Sequence, residues 1–262
     1  MGERKTYHRG RRKKKKGGII STLILIIAIA VFCVSGYQLY KIFGGYHQGK
    51  SEYDKVREVA VHGDDKDEDE FVVDFDELKK INADTVGWIR FYPEPSQISY
   101  PLVQTTDNDL YLNQTFSANE NTVGAIFVNC DNASDFSDRN TIIYGHRMRD
   151  HSMFHDLEKY KDESFWKENP YFYIYTPDGR KLTCHIYSAG IVKDTSSTYL
   201  TQFASDEEYQ AFLDDTKRAG AYHTGVEVTT DQRVVTLSTC TAASDDNRMV
   251  VRGVIESEDV VK

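Results

Sequence analysis

Residues 17–40, GGIISTLILIIAIAVFCVSGYQLY, run without a charged side chain until Lys41. Wound as a helix rising about 1.5 Å per residue, this stretch is long enough to cross the roughly 30 Å of hydrocarbon in a bilayer. Before it, residues 1–18 hold nine basic side chains (Arg4, Lys5, Arg9, Arg11, Arg12, Lys13, Lys14, Lys15, Lys16) against one acid, Glu3. Few basic residues follow it directly. That asymmetry sets the N-terminus in the cytoplasm and the rest of the chain outside, with Tyr37 and Tyr40 near the outer interface. A cleaved signal peptide is the competing reading, with VSG (Val34–Gly36) as its weak cleavage site. Met1-Gly2 followed by Arg4 and Lys5 is not a complete acylation motif.

Charge separates the two ends further. Of 32 basic and 41 acidic residues, 23 and 40 lie beyond the tail, a net of −17 within a chain total of −9. RGRRKKKK alone would suit nucleic acid. Followed by an apolar span and an acidic body, it reads instead as a cytoplasmic tail, and no nucleic-acid partner is expected. The organisation expected is a basic tail over 1–18, a membrane anchor over 19–40 and an acidic stalk over 41–70 ending in GDDKDEDE. One extracellular domain over 71–262 follows. Hydrophobic residues are 40% of the chain, enough for a core. Three of the four cysteines, Cys130, Cys184 and Cys240, lie outside the span that holds Cys33. At least one is therefore unpaired, and a Cys130–Cys184 disulfide stays open.

The body reads as mainly β. Phe75, Leu78 and Ile81 share a face of a short helix, with Asp74 or Asp76 placed to cap it. Short runs with β-type composition follow at 87–91, 101–104, 125–129, 140–144, 171–176, 181–192, 226–238 and 248–256, separated by turn signals such as PDGR. Phe154, Leu157 and Tyr160 have helical spacing. Ser205 and Glu208 form a capping pattern for a helix over 205–221. Eight short strands with few helices suggest a barrel or sandwich with helical decorations.

Within VVTLSTC, the alternation of a strand puts Val235, Leu237 and Thr239 on one face and Val234, Thr236, Ser238 and Cys240 on the other. The seven residues TAASDDN then let the next strand return beside the first, so Cys240 and Arg248 meet at one sheet edge. An arginine there favours a thiolate and can hold the oxyanion formed when it attacks a carbonyl. Such acyl transfer needs a proton donor, and His146 follows another β-like run, NTIIYG. Taken singly, each residue has a plainer reading: a buried filler thiol, a turn histidine, a solvated edge charge. His146, His151 and His155, with Asp150 or Asp156, also have metal-ligand spacing, the last two histidines at i, i+4 of an expected helix. The H-E-x-x-H pattern is absent.

TLSTC (Thr236–Cys240), IIYGHRM (Ile142–Met148) and an arginine soon after the cysteine resemble the sortases, membrane-anchored cysteine transpeptidases of Gram-positive bacteria. The resemblance runs from about Phe75 to the C-terminus and includes the anchor. FDELKKINADTVGWI, YPLVQTTDNDLYL, the residues after His146 and the helix before the TLSTC strand resemble class B. The resemblance implies an eight-stranded sortase-type β-barrel with N-terminal helices and a helix before the penultimate strand. It implies Cys240 as nucleophile, His146 as acid and base, and Arg248 as the cation that positions substrate, with Arg252 as its rival. Asn108, Leu112, Thr195, Tyr199, Leu200 and Ser238 would line the peptide groove, and the Thr241 N–H would face the oxyanion. The implied partners are a C-terminal sorting signal, NPQTN-like or P-x-T-G-like, and a peptidoglycan amino group. Neither cofactor nor metal is implied. A surface hydrolase with the same residues, or an anchored binding domain with a structural Cys240, is the alternative.

Overall fold

The computed structural model describes Gly2 and residues 17–63, 70–242, 244 and 246–261. They fall into two compact units, Met1–Gly44 and Gly45–Lys262. In the first, helix α1 (Gly17–Ala60) begins, and its large apolar side chains from Ile20 to Tyr40, with Phe43, are exposed. Among the described residues this is the one helix long and apolar enough to cross a membrane. The basic tail and most of the acidic run lie outside the described residues.

The second unit begins at Gly45, inside the stretch 41–70 expected as an acidic stalk. The end of α1 buries Gly49, Tyr53, Val56 and Ala60, one stripe of the helix, against the rest of the unit. Tyr53 donates its hydroxyl proton to Gly124 O at 2.7 Å, and Arg57 Nη2 donates to Ser99 O at 2.7 Å. Strands β1 (Val61–His62) and β2 (Val72–Val73) pair antiparallel. Helix α2 (Phe75–Ile81) is capped by Asp74, whose carboxylate accepts the Glu77 N–H at 3.0 Å.

Eight further strands close a barrel: β3 (Thr85–Phe91), β4 (Ser99–Val103), β5 (Ile126–Val128), β6 (Asn140–Tyr144), β7 (Tyr171–Tyr175), β8 (Arg180–Lys193), β9 (Val234–Cys240) and β10 (Asn247–Val260). Their order is β10-β8-β7-β3-β4-β5-β6-β9. Eight strands leave an interior that side chains fill, here with Ile89, Leu102, Ile143, Leu237, Met249 and Val251. Two pairings are parallel, β4 with β5 and β6 with β9, and each needs a long crossover.

The crossovers carry the remaining helices. Between β6 and β7 a 3-10 turn (His155–Lys161) precedes α3 (Glu163–Glu168). The helix expected through His151 is therefore absent at that end, and His151 has φ 67°. Between β8 and β9, α4 (Asp206–Arg218) is capped by Ser205 and packs Tyr209, Phe212 and Leu213 with Val228, Val234 and Val254 outside the barrel. Val228 is spent on that cluster and Gln232 N–H closes a turn on Thr229 O, so β9 begins at Val234, not 226. All four cysteines are free, and Cys184 is wholly buried in the barrel wall, so Cys130 and Cys184 do not pair.

Candidate active site

Strand alternation decides which face of the β9–β10 hairpin meets the barrel core. Leu237 and Met249 point in, whereas Ser238, Cys240, Arg248 and Arg252 occupy the opposite, outer face. Cys240 ends β9, exposed, and Arg248 is its direct partner across the ladder. The hairpin closes through Thr241 N–H to Asn247 O at 3.3 Å and Thr241 Oγ1 to Ser244 O at 3.2 Å. The N–H expected to face an oxyanion thus has a backbone partner. The acidic loop residues Ala243 and Asp245 lie outside the described residues.

His146 reaches the same barrel end from β6. Parallel pairing aligns Tyr144 with Ser238, and Gly145 N–H continues it to Ser238 O at 3.2 Å. Two residues further along each chain stand His146 and Cys240. Gly145 has no room for a side chain, since a Cβ there would sit 2.7 Å from Phe154 Cδ2. His146 Nε2 lies 2.7 Å from Leu112 O. A carbonyl oxygen only accepts, so Nε2 carries the proton and the ring's orientation is fixed. Behind the ring is Gly124 at φ 63°, held by Tyr53, where a Cβ would come within 2.8 Å of His146 Cδ2.

The residues expected to line a groove divide into two groups. Leu112 ends the 3-10 turn Leu110–Leu112 and abuts His146. Asn108 Oδ1 accepts Cys130 N–H at 2.9 Å, and its Nδ2 donates to Asn129 Oδ1 at 3.2 Å. On the other side, Tyr199 OH bonds Ser238 Oγ at 2.9 Å, so Ser238 is buried beneath it. Burial raises the Tyr199 pKa, keeping the phenol neutral. Thr195 and Leu200 are exposed.

Arg252, the rival cation, is wholly buried. Its Nη1 donates to Ser188 Oγ at 3.0 Å and its Nη2 to Thr198 Oγ1 at 2.7 Å. Burial lowers its pKa. It cannot meet a substrate, and it instead ties Thr198 to the barrel. Asn140 Nδ2 helps by donating to Leu200 O at 2.8 Å.

Three neighbours escaped the sequence reading. Asp194 Oδ2 is 3.6 Å from Arg248 Nη2. Tyr144 stacks on Tyr199 with centroids 6.2 Å apart, and burial pushes its pKa up to about 12. Asn129 Nδ2 donates to Tyr144 OH at 3.4 Å. Tyr144 comes to the site only through the β6–β9 register, which sets it beside Ser238. Asp194 follows β8 in a crossover and Asn129 follows β5 in the loop to β6, and no local pattern reveals where either connection packs.

A barrel whose two parallel neighbours, β6 and β9, deliver a histidine and a cysteine to one end has a known counterpart. The family model for the sortase domain matches residues 94–256. Sortase B of Listeria monocytogenes is 32% identical over 240 residues, 87% of this chain and 93% of that protein. The solved Staphylococcus aureus sortase B–substrate complex is 35% identical with TM-score 0.65, covering 72% of this chain and 85% of the other. Sortase B from B. anthracis gives 32% identity and TM-score 0.70, covering 84% and 100%. The chain belongs to the sortase family. Its relatives are class B enzymes, and it is a cysteine transpeptidase of that type.

Proposed function

We propose that residues 19–40 anchor the chain with its N-terminus in the cytoplasm. Outside, the barrel cleaves an NPQTN-like or P-x-T-G-like sorting signal after Thr and joins the protein to peptidoglycan. The Cys240 thiolate attacks the Thr carbonyl carbon, and the Arg248 guanidinium meets the oxyanion. His146, as imidazolium, gives a proton to the leaving amine while the C–N bond breaks, and a thioester remains. A peptidoglycan amino group then attacks that thioester. His146 takes the proton released, the C–S bond breaks, and an amide forms.

The supporting observation is convergence: β9–β10 pairing sets Arg248 opposite Cys240, and β6–β9 pairing brings His146 to the same end. Leu112, Asn108, Thr195, Tyr199 and Leu200 line the peptide path, with Ser238 acting through Tyr199. For the Thr241 N–H to join the oxyanion site, its bond to Asn247 O must open.

The test is cleavage of a small library of quenched sorting-signal peptides by the full chain in detergent micelles. Cys240→Ala, His146→Ala and Arg248→Ala serve as controls, with triglycine or a diamino acid as acceptor. The expected product has the mass of the peptide–acceptor amide. Cleavage by Cys240→Ala would overturn the assignment. A free-acid product alone, with acceptor present, would favour a surface hydrolase.

A further inference from the structure

Beyond His146 the chain doubles back on itself. His151 N–H donates to Met148 O at 3.3 Å, Phe154 N–H to His146 O at 2.9 Å, and Arg147 bridges Met153. The turn lays the His151 ring on His155, with centroids 4.1 Å apart and planes at 54°. Both rings adjoin the carboxylate of Asp156. One ligand atom from each of the three residues lies within 4.8 Å of the others.

The protonation pattern suits coordination. His155 Nδ1 is 2.5 Å from Met148 O, so Nδ1 holds the proton and Nε2 presents a lone pair. Metal-bound histidines are oriented in this way, by a backbone carbonyl on the other nitrogen. Asp156 is 5% exposed, a buried carboxylate. Its Oδ2 pairs with Lys159 Nζ at 2.9 Å, while Oδ1 faces His151 Nδ1 at 3.5 Å. That separation is long for a hydrogen bond. It is close to the edge of a tetrahedron whose centre is about 2.0–2.1 Å from each ligand, as in zinc sites.

We propose that His151, His155 and Asp156 bind a first-row divalent transition ion of the zinc type, with water as fourth ligand. The ion takes no part in acyl transfer. It would clamp the loop whose Phe154 N–H holds the His146 carbonyl, and so restrain the backbone at His146.

The test is Zn²⁺ titration of the full, untagged chain in micelles, carrying Cys240→Ser so that the exposed thiol does not compete. One equivalent should bind. His151→Ala and His155→Ala should each weaken it at least about tenfold. His151 is 69% exposed, so its replacement leaves the fold intact, which an unchanged metal-free melting curve checks. Co²⁺ in place of Zn²⁺ should give visible absorption of a four-coordinate ion with no thiolate band. Absence of binding at micromolar Zn²⁺, or binding that survives the His151→Ala/His155→Ala double change, would overturn the site. Either result would leave Asp156 as the anion of a plain Lys159–His151 ion cluster.

Discussion

Arg248 stands directly across the β9–β10 ladder from Cys240, on the outer face of the barrel, with Asp194 Oδ2 at 3.6 Å from its guanidinium. Partners in an antiparallel ladder are held about 4.5–5.5 Å apart at Cβ. Backbone pairing thus fixes where the Arg248 side chain leaves the sheet, and the half-exposed ion pair with Asp194 adds little to stability. Arg248→Ala should lower kcat/KM for a cleavable sorting peptide by about 10²–10³, the usual loss when one oxyanion donor goes. Arg248→Lys should recover only part, because an ammonium lacks the planar fork. Steady-state kinetics with equal KM and a lower kcat would fit a transition-state role.

Gly124 supports the His146 ring from behind. Its φ of 63° disfavours a side chain, and a Cβ would meet Tyr111 O at 2.6 Å and His146 Cδ2 at 2.8 Å. Gly124→Ala should cost about 1–3 kcal/mol of stability. It should also reduce peptide cleavage by more than about tenfold, since ångström displacements of a reacting group are expensive in rate. Thermal melting and kinetics on the same sample check both.

Arg252 is a buried cation with hydroxyl partners on two nitrogens and a buried Nε lacking one. Replacing a buried charge by an apolar group of similar size is often neutral for stability. Arg252→Met should therefore melt within a few degrees of the parent. It should raise KM for the peptide, because Thr198 and with it Tyr199 lose their tether.

Thiol alkylation should single out Cys240 in the folded second unit. Cys240 is exposed, Cys184 is wholly buried, and burial pushes the Cys184 thiol well up. At Cys130, burial and the neighbouring Asp131 raise the pKa. Peptide mapping after brief iodoacetamide treatment should show Cys240 modified first and Cys184 only after denaturation.

His185 stacks on Tyr171 with centroids 4.5 Å apart. Burial lowers its pKa below 6.5, and Glu256 only partly opposes that. The unfolded chain then binds its proton first as pH falls, so the native state loses stability below about pH 6.5. Wild type should lose melting temperature relative to His185→Gln between pH 7.5 and pH 5. Parallel curves would contradict this.

Much of the site was written in local pattern. Alternation within VVTLSTC put Cys240 opposite Leu237 in facing, and the seven-residue return set Arg248 beside it. Both are consequences of strand geometry over a few residues. The stripe Gly49, Tyr53, Val56 and Ala60 was equally present at helical spacing, but charged neighbours and the preceding apolar span hid it. Its partner Gly124 lies far along the chain, and no local signal names it.

By itself the sequence left Asp74 and Asp76 equal as caps of α2, but it determined the apolar span, the strands flanking Cys240, the cap Ser205, and the pairing of Cys240 with Arg248. Each follows from periodicity or turn chemistry acting over a few residues. Only the tertiary structure decided that His146 reaches the barrel end where Cys240 lies, since that depends on a parallel β6–β9 contact across about ninety residues of intervening chain. It also decided that Arg252 is a buried strut, although it shares the strand phase of Arg248. The two differ because the Thr198 crossover covers one position and leaves the barrel end open at the other.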